Sequence, residues 1–195
     1  MSTNLFGEID TPIAIYTLYQ NMKNYRDYDF LLKEVEQIIN EYPDRAEGYV
    51  LKGDILKKLD NYERALENYT IAIDMNVNNA AYYAIRARHY LNCGIFYDAI
   101  DDFTYLIENK KLDNQNYYAS RKGGLRLIAS CCIGNWGIAQ EDIKYINQDY
   151  VFYAKPVKGI ITKERLENSI KNKQNLAVKE YGDKKIGVYH SLSKR

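Results

Sequence analysis

Residues 46–79 read AEGYVLKGDILKKLDNYERALENYTIAIDMNVNN, two apolar-periodic runs separated by Asp60-Asn61 and closed by an Asn-rich turn. The spacing of Tyr49, Leu56, Tyr62 and Tyr69 sets a bulky stripe along each run, and Gly53 and Ala65 interrupt it with small residues. Two helices joined by a short turn approach closely only where one of them offers no more than a hydrogen or a methyl. The two small residues therefore mark the helix crossing. One such hairpin cannot bury its stripe alone, so neighbours of the same kind must cover it.

Those neighbours are present. A step of about 34 residues carries Tyr49, Gly53, Leu56, Tyr62, Ala65, Tyr69 and Ala72 onto Tyr83, Ala87, Tyr90, Phe96, Ala99, Phe103 and Leu106. The same step backwards reaches Ile15, Tyr19, Met22, Tyr28, Leu31, Val35 and Ile38, which keep the bulk but lose both small residues, as a terminal unit can. Gly134, Trp136, Ala139, Ile143 and Ile146 repeat the turn and second helix once more at an offset of 40, with extra residues placed near 113–120.

This order of residues resembles the tetratricopeptide repeat, whose pattern runs aromatic, Leu-Gly, Tyr, Gly-x-Tyr, Ala, aromatic, Ala and a closing Pro. Lys52 replaces the usual Leu, Asp60 the turn Gly, and only Pro43 keeps the closing proline. The resemblance implies an all-α, right-handed superhelical solenoid of antiparallel helix pairs. About four repeats are expected, at 12–45, 46–79, 80–113 and a degenerate 114–153. Residues 1–11 are expected as a disordered lead. Residues 154–195 are expected as a linker around 153–159, a capping helix from Thr162 through Leu166, Ile170, Ala177 and Tyr181 to Gly182, and a basic tail.

Composition narrows the function. The chain has 195 residues, 46% of them hydrophobic, and 20 tyrosines, which read as packing aromatics with one polar end. Cys93, Cys131 and Cys132 do not form a secretory disulfide framework and read as free thiols. With no charged-then-apolar leader and no membrane-length apolar run, a cytoplasmic protein is expected. The Asn68-Tyr69-Thr70 sequon falls inside a core helix and is set aside. Residues 1–150 hold 16 basic and 22 acidic side chains, against 11 and 4 in 151–195. An acidic body argues against a phosphate-binding RNA reader, since nucleic-acid affinity needs a basic face. The basic tail fits either an external acidic partner or a dock on its own array.

Catalytic chemistry has little to work with. His89 and Cys93 share a helix face at a four-residue spacing but lack a third group, so they read as packing residues, as do Cys131 and Cys132. No Gly-rich phosphate loop, metal-spaced Cys/His cluster or nucleophile elbow occurs. No catalytic residue, cofactor or metal is assigned, and the expectation is a non-enzymatic scaffold.

The resemblance places ligands in a concave groove lined by the first helix of each repeat. Here those positions include Tyr16, Gln20, Val50, Asp54, Lys57, Ile85, Arg88, Asn92 and Arg121. The carboxylate clamp of chaperone-binding members is not matched, because its places hold Tyr16, Gln20, Leu51, Ala81 and Ile85. The implied partner is another protein or peptide segment, with self-association open and no membrane. Two narrower roles suit small repeat proteins of this kind: a dedicated chaperone for a secreted protein, or an immunity protein that neutralises a toxin.

Overall fold

The computed structural model describes residues 13–24, 26–108, 123–149 and 151–176. The described residues are helical for most of their length, and the helices pack in chain order, an all-α helical-repeat fold. Two compact units divide inside one helix, between Arg86 and Ala87.

Unit 1 holds α1 (Ile13–Asn24), α2 (Tyr28–Glu41), α3 (Ala46–Lys58), α4 (Tyr62–Met75) and the first half of α5 (Ala80–Cys93). Three of these starts have a local cause. The Asp27 carboxylate accepts the Phe30 N–H at 3.0 Å to open α2, Asn61 caps α4, and the Asn79 side chain accepts the Ala81 N–H at 3.0 Å at the head of α5. α1 rests on both α2 and α3, and α3 on α4. Ile15, Leu18, Leu31, Val35, Leu51 and Ile55 form one buried cluster, and Val50, Ala72, Ile73 and Tyr82 belong to a second.

The α3–α4 turn shows how Asp60 replaces glycine. Asp60 adopts the left-handed conformation at φ 57°, and the Asn61 N–H bonds back to the Leu56 carbonyl at 2.9 Å. That bond satisfies a carbonyl the helix leaves open, and Asp is among the few side chains that tolerate this backbone region. Gly94 and Gly134, at φ 78° and 76°, close the corresponding turns of unit 2 with 2.9 Å bonds from Ile95 to Tyr90 and from Asn135 to Ser130.

Unit 2 holds the rest of α5, α6 (Phe96–Glu108), α7 (Gly123–Ile133) and α8 (Trp136–Asp142), which tightens into a 3-10 turn over Ile143–Tyr145. Residues 109–122, where the extra length of the fourth repeat was expected, lie outside the described residues.

Two expectations about the C-terminal part are corrected. Residues 153–159 are not a free linker but most of the loop of a small hairpin, in which β1 (Val151–Phe152) pairs antiparallel with β2 (Ile161–Thr162). Ala154, Pro156 and Val157 are buried beneath it, and their apolar area is what draws the loop down. The capping helix, α9 (Lys163–Asn172), begins after Thr162, whose hydroxyl accepts the Arg165 N–H at 3.2 Å, but ends ten residues short of Gly182. Lys173 turns left-handed at φ 51° and the Gln174 N–H bonds to the Ser169 carbonyl at 3.0 Å, which stops the helix. Ala177 and Tyr181 lie outside the described residues.

Candidate partner-binding site

The first helices of unit 1 are neighbours, and their exposed positions form the candidate site. On α1, Ile13 and Tyr16 are 83% and 52% exposed, three residues apart on one helix face, with Gln20 half-buried one turn further on. Ile13 and Tyr16 both lie on the solvent side of a helix whose opposite face, with Ile15 and Leu18, is core.

On α3 the chemistry is built from Gly53 outward. A Cβ there would stand 2.5 Å from the Tyr69 ring, so the missing side chain is what lets Tyr69 lie against α3. Tyr69 is buried, and its hydroxyl donates to the Asp54 carboxylate at 2.8 Å. Asp54 also pairs with the Lys57 ammonium, which sits 3.4 Å from the Tyr69 hydroxyl oxygen and 5.9 Å from the centre of its ring. Asp54 and Lys57 are thus present at the face as a compensated pair rather than as two free charges. The three-residue spacing of opposite charges was readable in the sequence, but the tyrosine that completes the group comes from the other helix.

Val50 is corrected. It is fully buried with Ala46, Ala72, Ile73 and Tyr82, because α3 carries apolar residues on both sides of its axis, and it offers no surface. Ile85 is half-buried and leans on the same cluster. Lys52 pairs with Glu36 at 2.8 Å, and the Tyr82 hydroxyl donates to Glu47 at 3.3 Å. In unit 2, Arg88 is exposed and Asn92 half-buried, while Arg121 lies outside the described residues.

A buried ion pair in unit 2 was missed by sequence reading. Arg126 donates to Asp142 through Nε at 2.8 Å and Nη2 at 2.6 Å, and its Nη1 reaches the Thr104 hydroxyl at 3.2 Å. Both charged side chains are buried, and the fork geometry offsets part of the desolvation. Arg86 and Thr70 make the equivalent contact in unit 1, at 3.0 Å. Arg86 and Asp102 have the same sixteen-residue separation as Arg126 and Asp142, so the signal was a repeated Arg and Asp inside apolar runs.

Cys131 and Cys132 are buried free thiols. Burial pushes the Cys131 thiol up to about 12, against a smaller opposing effect of the Ser169 hydroxyl, and pushes Cys132 up as well. His89 is buried and Cys93 half-buried. Among the described residues no three His, Cys, Asp or Glu side chains are grouped to hold a metal ion, and no helix is long and apolar enough to cross a membrane.

No family model matches the chain. Over 108 residues, 52% of its length, it is 33% identical to serine/threonine-protein phosphatase 5 of Rattus norvegicus, of which that stretch is 20%. The chain thus spans about a fifth of the length of the curated relative it matches. With the helical fold, this similarity supports a tetratricopeptide-like repeat at the coarse level.

Proposed function

We propose that the chain is a protein-binding module whose working surface is the first-helix face of unit 1, centred on Tyr16 and Gln20 of α1 and on the Asp54–Lys57 pair of α3. The observation that carries this reading is the half-exposed Tyr16 beside Ile13, on a helix that packs directly against α3. Aromatic anchors with a polar end are the residue type that most often supplies binding energy in interfaces. A compensated Asp–Lys pair next to them suits a partner segment of mixed character, with apolar side chains for the anchors and polar groups of both signs for the pair. Ile85, on the part of α5 that belongs to unit 1, is proposed to contact the same partner.

The finer roles differ in what is bound. A chaperone for a secreted protein would take a segment of an unfolded client, whereas an immunity protein would take a folded toxin. Identification of the captured protein separates them. The test of the surface itself is Tyr16→Ala combined with Gln20→Ala, with Glu67→Ala on α4 as the control. Loss of an anchor worth about 2 kcal/mol weakens binding roughly 30-fold, enough to lose a micromolar complex on washing. The double variant should retain the parent far-ultraviolet spectrum and lose its partner, and the control should keep both. Undiminished capture by the double variant would remove this face from consideration.

A further inference from the structure

In unit 2 the chain turns back at the end of α9 and, with that helix, lines a half-open surface pocket of about 290 Å³. One face of α9 supplies Arg165, Asn168 and Asn172, and the returning segment supplies Gln174 and Asn175. The wall is fixed in place. The Gln174 N–H donates to the Ser169 carbonyl at 3.0 Å, the Ser169 hydroxyl donates to the Gln174 carbonyl at 2.6 Å, and the Leu176 N–H reaches the Cys131 carbonyl at 3.1 Å. Arg165 is braced as well, its Nη1 donating to the carbonyls of Lys158 and Ile160 at 2.8 and 2.9 Å.

Two features of this pocket point to a ligand. Arg165 is held by carbonyls alone, and among the described residues no carboxylate pairs with it. The side-chain amides of Asn168, Asn172, Gln174 and Asn175 are exposed and make no side-chain hydrogen bond to another described residue. Four carboxamides and one pre-positioned guanidinium therefore converge on one space, with no acidic side chain in its lining.

We infer that this pocket binds an extended acidic peptide segment, with main-chain amides held by the carboxamides and one Glu or Asp side chain held by Arg165. Each carboxamide offers a donor and an acceptor, the same two groups that a peptide unit presents, so the match is independent of most of the bound sequence. A guanidinium held in one orientation pairs a carboxylate through two parallel bonds. The volume lies at the lower edge of the roughly 300–1,000 Å³ of small-ligand sites, room for one acidic residue and its flanking peptide units. This site is separate from the first-helix face and does not depend on it.

The probe is the tripeptide acetyl-Ala-Glu-Ala-amide, titrated into the full ¹⁵N-labelled chain while the side-chain NH₂ signals of Asn and Gln are followed. Acetyl-Ala-Gln-Ala-amide and sodium acetate serve as comparisons. Saturable shifts of the Asn168, Asn172, Gln174 and Asn175 signals are expected with the Glu peptide, with at least tenfold weaker binding of the Gln peptide and of acetate. Asn168→Ala combined with Asn172→Ala, both exposed and so compatible with folding, should weaken the Glu peptide at least tenfold, while Gln148→Ala leaves it unchanged. Arg165 variants are less decisive because this side chain also braces the hairpin loop. Equal binding of the two peptides, equal shifts from acetate, or full affinity in the double variant would overturn the inference.

Discussion

A methyl group at position 53 would stand 2.5 Å from the ring of Tyr69, a contact that no real Cβ makes. Tyr69 has no easy retreat, since it is buried and its hydroxyl is bound to Asp54. Gly53→Ala should therefore destabilise unit 1 by about 1–3 kcal/mol in urea unfolding, the usual cost of overpacking. Gly137→Ala, whose added methyl meets nothing closer than 3.9 Å, should be neutral or stabilising by up to about 1 kcal/mol. Lys57→Ala removes one member of a part-exposed pair and should cost only about 0–1 kcal/mol. The buried pair is different: Arg126→Met leaves Asp142 charged in a dry site and should cost about 3–5 kcal/mol, much of it recovered when Asp142→Leu is added. The cysteines give a pH test. Because burial holds Cys131 near 12 against a reference of 9.0, the folded state keeps its proton while the unfolded chain loses it. Stability should thus be insensitive to this group below pH 9 and fall as the pH climbs from 9 towards 12. In the native protein at pH 8 a thiol-specific disulfide reagent should leave Cys131 and Cys132 unmodified, and urea should release both.

At the scale of elements, the recurring device is a left-handed residue followed by a bond that reaches back over the helix end. It appears at Asp60, Gly94, Gly134 and Lys173. Two of the four are not glycine, and each non-glycine carries a backbone cost. Lys173 is exposed, so Lys173→Gly should raise the melting temperature by an amount equivalent to about 1 kcal/mol, read by differential scanning calorimetry. Helix positions were legible because small and bulky residues keep their spacing: α3 and α5 begin at 46 and 80, α4 and α6 at 62 and 96. The end of α9 was not legible, since the apolar spacing of Leu166, Ile170, Ala177 and Tyr181 continues past it and Lys173 carries no stop signal of its own. The hairpin at 151–162 was equally hidden, because two-residue strands are too short for an alternating pattern. Val50 was misread for a related reason. A repeat register says which positions face inward in an average member, whereas α3 buries residues on more than one side.

For the whole molecule, the central proposal is that another protein covers the first-helix face of unit 1 at Ile13, Tyr16 and Gln20 of α1. The class of fold was legible in the sequence. The internal pairing of Asp54 with Lys57 and Tyr69, and the pocket at α9, needed three-dimensional proximity that a linear pattern does not encode. One measurement addresses the claim most directly, photo-crosslinking in cells from p-benzoylphenylalanine placed at Gln20 and, separately, at Glu67 on the exposed side of α4. The account predicts a discrete protein adduct from position 20 that disappears with Tyr16→Ala, and none of that mass from position 67. Adducts from position 67 alone, or the same adduct from both positions, would contradict it.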